Sequence, residues 1–321
     1  MSPSPEAVAH AEARRRLADA TSRAAMQAWR QVDRDNIRLS WIALLSRVLA
    51  IVGGGQLAAA RSTEVWLEQL LGEDPDRASE QLNPAALVGV DGAGRAMTDV
   101  LMAPMWAALR MVTEGKPVAQ SMVHGQGLLD AVVRTAVADA GRAADQVGMA
   151  SRPAITSYVR VVESGACSRC IVLAGREYGV SKAFARHPRC HCGMEPVTRE
   201  HRPEPVDAKD LFDKMTAAEK KKTFGQDGAK AIEAGADIAQ VVNARRGMAT
   251  AVAYGKTLQI TTEGTTRRGL AGQRRKKFEK VPGMRYRVSK SPRLMPEEIF
   301  RIADDDRGHA IQLLRRNGYL Y

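Results

Sequence analysis

A chain of 321 residues with 45% hydrophobic content can hold two or three domains and a sizeable core, and is too apolar for a disordered tail. Aromatics make up only 5% while alanine is abundant, which favours helices over a β-sandwich. The net charge of +12 is uneven: residues 1–150 hold 15 Lys and Arg against 17 Asp and Glu, and residues 151–321 hold 33 against 19, so the basic half is expected to meet a polyanion, most often nucleic acid.

The N-terminus lacks a basic stretch followed by an apolar run, so no secretory signal is expected. Glu6 to Met26 is dense in alanine and arginine without a breaker and predicts a helix. Asp35 or Asn36 is positioned to cap a second helix through Ile42, Leu44, Leu45 and Leu49, which Gly53, Gly54 and Gly55 are expected to interrupt. Its most apolar part, Trp41 to Val52, is too short to cross a bilayer and contains Arg47, so no membrane partner is expected. Helical pattern resumes from Gln56 to Leu71, and residues 72–94 read as a long loop or short pieces. Three further helices are expected near Met97 to Glu114, Val118 to His124 and Gly127 to Val147.

Tyr158, Val159, Val161 and Val162 form a β-branched, aromatic run that predicts a strand leading into the cysteines. A Pro-rich charged linker follows from Pro196 to Pro205. Beyond it, Thr216 and Glu219 make a capping-box pattern, Ala229 to Ala234 and Ile238 to Ala244 read as short helices, and Thr257 to Thr262 alternates as a strand. Pro296 suits a first helical turn, and Asp306 can start a last helix that Gly318 stops.

All four cysteines fall between Cys167 and Cys192, as Cys167-x-x-Cys170 and Cys190-x-Cys192 with 19 residues between the pairs. A tetrahedral zinc site needs four N or S ligands from two approaches of the chain. C-x-x-C supplies two thiolates from one turn, and C-x-C supplies two from one face of an extended segment. His187 competes, because with Cys190 it makes an H-x-x-C turn. The expected site is a structural zinc held by four of Cys167, Cys170, His187, Cys190 and Cys192, with His187 and Cys192 in competition and His191 ranked below them. Paired disulfides would require an oxidising compartment, and no thioredoxin-like βαβ pattern surrounds the C-x-x-C.

The residues Cys167-x-x-Cys170, Leu173-Ala174-Gly175-Arg176, Tyr178 and Arg186-His187-Pro188-Arg189-Cys190-His191-Cys192 resemble the signature of the phage Mu F-type head morphogenesis family. The stretch around Thr135, Asp139, Ala140 and Arg142 is similar to members from actinobacterial phages, as are Val242 to Met248, Arg293 to Glu297 and the Arg315-to-Tyr321 ending. At His191 many members carry Arg or Asp instead, so the sequence departs from the common pattern there. The resemblance implies a minor head protein inside the virion, assembled in the host cytoplasm beside the portal, scaffold or major capsid protein and in contact with packaged double-stranded DNA. The residues expected to meet DNA without reading its sequence are Arg267, Arg268, Arg274, Arg275, Lys276, Lys277, Lys280, Arg285 and Arg287, in a strip from 265 to 293 that continues to Lys290 and Arg293 and holds one acid, Glu279.

No G-x-S-x-G or Walker A pattern occurs, and Ser121 with His124 is an isolated pair, so catalysis is not expected. A capsid maturation protease and a zinc-containing DNA-binding regulator stand as alternatives. The expected fold is α+β and mostly helical. It comprises a helical region over 1–150 that contacts the portal or scaffold, a small zinc-binding, β-containing module over 151–205, and a basic helical and loop-rich region over 206–321.

Overall fold

The computed structural model describes residues 3–72, 82–162, 165–184, 187–190, 192–204, 206–245, 248–253, 256–263, 278–279, 282 and 288–320. The protein is mostly helical α+β, as its composition predicts. It divides into two compact units: Met1–Ala166 with Ala174–Val206, and Asp207–Tyr321 together with the segment Cys167–Leu173.

In the first unit, α1 (Pro5–Trp29), α2 (Ile37–Leu71) and α5 (Val118–Ala150) pack against one another, with the short α3 (Met97–Val100) and α4 (Ala103–Thr113) beside them. Ser4 caps α1 by accepting from Ala7 N at 3.1 Å. Trp29 and Trp41 meet edge to face with centroids 4.9 Å apart. Both indole N–H groups are satisfied, donating to Met122 O at 3.1 Å and Leu101 O at 3.0 Å.

Two expected breaks are absent, for one physical reason. Gly53, Gly54 and Gly55 lie inside α2, and Gly125 and Gly127 lie inside α5. A Cβ on Gly55 would stand 2.5 Å from Thr21 Oγ1, and one on Gly125 would stand 2.6 Å from Trp29 Cζ2. These two glycines let helices approach closely instead of ending them. Conversely, the stretch from Met97 to Glu114 is two helices, not one.

The continuous α2 also corrects the expectation for membranes. At 35 residues, with a mean hydropathy of 1.7 in its most apolar window, it is long and apolar enough to cross a bilayer. One side of α2 packs into the helical unit, where Trp41, Val48, Val52, Ala59, Ala60, Trp66 and Leu67 are buried. Only 28% of that window is buried, and the exposed positions of α2 mix Leu39 and Ile42 with Arg38, Ser46 and Arg47.

Three antiparallel strands complete this unit among the described residues, in the order β2 (Glu177–Gly179), β1 (Ser157–Val161), β3 (Gly193–Val197). The expected strand at Tyr158 is central. β3 runs into the stretch expected to be linker, pairing Pro196 with Tyr158 and Val197 with Ser157. Tyr158 is fully buried, stacks with Tyr178 and donates its hydroxyl to Lys182 O. Burial, assisted by Tyr178, pushes its phenol up to about 12, so it stays a donor at any physiological pH.

The second unit contains α7 (Ala208–Asp213), α8 (Ala217–Phe224), α9 (Gln226–Glu233), α10 (Ile238–Ala244), α11 (Pro296–Ala303) and α12 (Arg307–Arg316). Four strands pair in the order β4 (Met248–Ala253), β5 (Lys256–Glu263), β7 (Val288–Leu294), β6 (Phe278–Glu279). The Thr216–Glu219 capping box forms as expected, and Asp306 caps α12 by accepting from His309 N at 3.0 Å. Phe212 and Phe224 anchor the core edge to face at 5.3 Å.

Candidate metal centre

Cys167 caps α6 (Ser168–Ile171), and its carbonyl accepts from Cys170 N at 2.9 Å and Ile171 N at 3.1 Å. This turn brings the two sulfurs to 3.6 Å, far beyond the ~2.05 Å of a disulfide and close to the spacing of two thiolates on one tetrahedral metal. None of the four cysteines is in a disulfide.

The other half of the site is a turn followed by a strand. His187, Pro188, Arg189 and Cys190 form a tight turn in which Cys190 N donates to His187 O at 3.0 Å. Proline occupies the second position, and Arg189 the third, with φ of 62°, the left-handed conformation such a turn demands. Cys192 then enters β3 at Gly193.

Two groups of ligand atoms gather, each within 4.8 Å: Cys167, Cys170 and His187, and Cys170, Cys190 and Cys192. Cys170 belongs to both groups. Cys170, Cys190 and Cys192 are buried, whereas Cys167 and His187 are half-buried. His187 Nδ1 lies 2.7 Å from Pro188 O; a proton there leaves Nε2 with its lone pair, the form a metal requires. A soft, thiolate-rich donor set with imidazole available fits zinc. Such a group would supply a cross-link, with His187 and Cys192 as the competing fourth ligands. His191 lies outside the described residues.

The residues around these ligands are only partly legible in the sequence. Arg142 on α5 donates to Cys190 O at 2.8 Å and Cys192 O at 3.4 Å, and is held by Asp139 one turn away. Thr135 Oγ1 accepts from Arg189 N at 3.0 Å. Thr135, Asp139 and Arg142 belong to the stretch that carries the family resemblance, and their work here is to dock the cysteine turn onto α5. Sequence reasoning gives no role to Arg160, whose Nη2 lies 3.7 Å from Cys190 Sγ, or to Asp130, which pairs with Arg189 at 2.9 Å. A single arginine inside a β-branched run is the one signal that marks Arg160.

Next to this turn lies a buried charge network. Asp145 on α5 pairs with Arg14, accepts from Thr63 at 3.1 Å and lies 3.2 Å from His10 Nε2. Burial alone would raise the Asp145 carboxyl, but Arg14 and His10 outweigh it and hold it below its ordinary value. His10 is lowered, chiefly by burial and further by Arg14, against the pull of Asp145.

The residues expected to meet DNA (Arg267, Arg268, Arg274, Arg275, Lys276, Lys277, Lys280, Arg285 and Arg287) lie outside the described residues. Arg293, at the end of that strip, is a correction: it is 2% exposed, donates to Gln240 O at 3.2 Å and Asn317 O at 3.4 Å, and lies 4.5 Å from the Tyr319 ring. It is a core rivet and does not face a phosphate. Ser121 is buried with its hydroxyl on Pro117 O at 3.1 Å.

The model of the VG15 protein family matches residues 1–218, about two-thirds of the chain. No curated protein and no solved structure matches it.

Proposed function

The chain belongs to the VG15 protein family, a phage protein family, and from that premise we propose that it is a minor capsid protein of a tailed phage, of the Mu F type. It acts in head morphogenesis, associates with the portal inside the head, and touches packaged DNA without reading sequence. The observation that carries this reading is the interdependence of the motif residues: Thr135, Asp139 and Arg142 brace the turn that bears Cys190 and Cys192. A structural zinc at the five-ligand cluster fixes the module. The basic half of the chain suits DNA, and the near-neutral helical half suits protein. Exposed Leu39, Ile42 and Trp106 supply the apolar contacts that a portal, scaffold or capsid surface would cover.

The test is the composition of purified particles. Mass spectrometry should find the full chain in heads in few copies, and affinity capture of the full chain should retain portal protein. Heads that lack the chain entirely would sink the proposal. The alternative of a capsid maturation protease or other head-processing enzyme expects new major-capsid termini that vanish when the gene is inactivated. The alternative of a zinc-containing regulator expects one DNA sequence to outcompete unrelated ones.

A further inference from the structure

A buried arginine is costly unless its surroundings offset the loss of water. Arg160 lies on the central strand β1 and is 2% exposed. Its guanidinium carbon stands 4.3 Å from the centroid of Phe184, and from that stack Nη2 reaches to 3.7 Å from Cys190 Sγ. The Arg160 backbone is fixed as well, donating to Arg176 O and accepting from Gly175 N, both at 3.1 Å. Arg142 holds the same cysteine by its carbonyl at 2.8 Å. Cys190 is therefore gripped at its carbonyl by one arginine and at its sulfur by another.

We propose that Arg160 is a positioning residue of the metal centre, which slows metal release through its N–H···S contact with Cys190. This rests on the metal reading given above. A metal-bound cysteine is a thiolate, so four sulfurs around Zn²⁺ carry a net charge of −2, and three sulfurs with a histidine carry −1. An N–H donor on one sulfur spreads that charge and fixes the direction of the remaining lone pairs, which keeps the sulfur aimed at the metal. Lysine is only a partial substitute, because an ammonium keeps the charge but cannot lie flat on Phe184 while pointing a donor at the sulfur.

The experiment uses the full chain, as wild type, Arg160→Gln and Arg160→Lys. Zinc per chain is measured first, then the rate of zinc transfer to a chromogenic chelator, then the sulfur-to-metal charge-transfer band of the cobalt-substituted protein. Loss of an outer-sphere partner typically weakens metal binding about 10–100-fold, so Arg160→Gln should release zinc faster by that order and shift the cobalt band. Arg160→Lys should fall between it and wild type, and decides the matter if the glutamine variant does not fold. Release from both variants within about twofold of wild type would overturn the proposal, as would a loss of thermal stability equal in zinc-loaded and zinc-free protein with release unchanged. A wild-type chain that holds less than a tenth of an equivalent of zinc overturns the metal reading itself, and this inference with it.

Discussion

His10 on α1 lies face to face with Trp66 on α2, ring centroids 4.2 Å apart and planes within 5°, while its Nε2 meets Asp145 of α5 at 3.2 Å. One imidazole thus ties three helices. Because burial and Arg14 hold it below its ordinary value, the unfolded chain takes up the proton first as pH falls. Stability from His10 is therefore full above the unfolded value near 6.5 and declines below it. Asp145, also lowered, adds stability that is lost only at more acid pH, below about 4. Urea unfolding of wild type should show a falling free energy from pH 7 to pH 5, and His10→Gln should flatten that slope. An unchanged slope would remove His10 as its source. Asp145→Ala, which leaves Arg14 buried and unpaired, should cost about 3–5 kcal/mol.

Glycines on the same helix should respond in opposite directions. In α5, a Cβ at Gly125 meets Trp29 at 2.6 Å and the backbone oxygen of Pro104 at 2.8 Å, whereas one at Gly127 meets nothing within 4 Å. Gly125→Ala should destabilise by about 1–3 kcal/mol through overpacking. Gly127→Ala should stabilise by about 0.5–1 kcal/mol through helix propensity. Thermal unfolding of the two variants checks the signs, and a gain at Gly125 would show that the α1–α4–α5 approach is looser than the structure has it.

Those glycines mark the limit of what the sequence reveals. A glycine that ends a helix and one that admits a neighbour look alike until the neighbour is known, so Gly53 to Gly55 and Gly125 read as breaks. The ligand cluster is legible because no cysteine occurs outside the two close pairs, and pairs at that spacing have few other uses. The roles of the arginines around it are not, since Arg142, Arg160 and Arg189 act through partners 30 to 62 residues away. β2 escapes notice because three residues show no periodicity and its existence depends on pairing with β1. Arg293 misleads for a related reason: in a basic run, nothing local separates a core arginine from a solvated one.

Arg189 combines two effects that substitution can separate. Its positive φ costs about 1–2 kcal/mol for a non-glycine residue, and its side chain pairs with Asp130 at 2.9 Å and Gly127 O at 3.0 Å. Arg189→Ala keeps the strain and loses the anchor, while Arg189→Gly loses both. The glycine variant should therefore be more stable than the alanine variant by about 1 kcal/mol, with both metal-loaded proteins compared by thermal unfolding. Equal stabilities would mean that the turn relaxes out of the left-handed conformation when the anchor is cut.

The basic strip and Arg293 should separate in a DNA-binding experiment. Phosphate contacts release counterions, so log affinity for duplex DNA should fall with log salt at a slope of about −0.9 per contact. Changing Arg274, Arg275, Lys276 and Lys277 to alanine should leave the fold intact and make the slope shallower by about 0.9 for each phosphate that those side chains neutralise. Two unrelated duplexes should bind alike, because arginine and lysine on phosphates carry no sequence information. Arg293→Ala should behave differently. It removes a buried guanidinium that donates to Gln240 O and Asn317 O and lies against the Tyr319 ring, at a cost of about 1–3 kcal/mol. Its effect should appear as a lower unfolding midpoint, with the salt slope of the folded protein unchanged. A slope that Arg293→Ala alters as strongly as the strip variant would return Arg293 to the DNA surface, and no binding at low salt would end the DNA reading altogether.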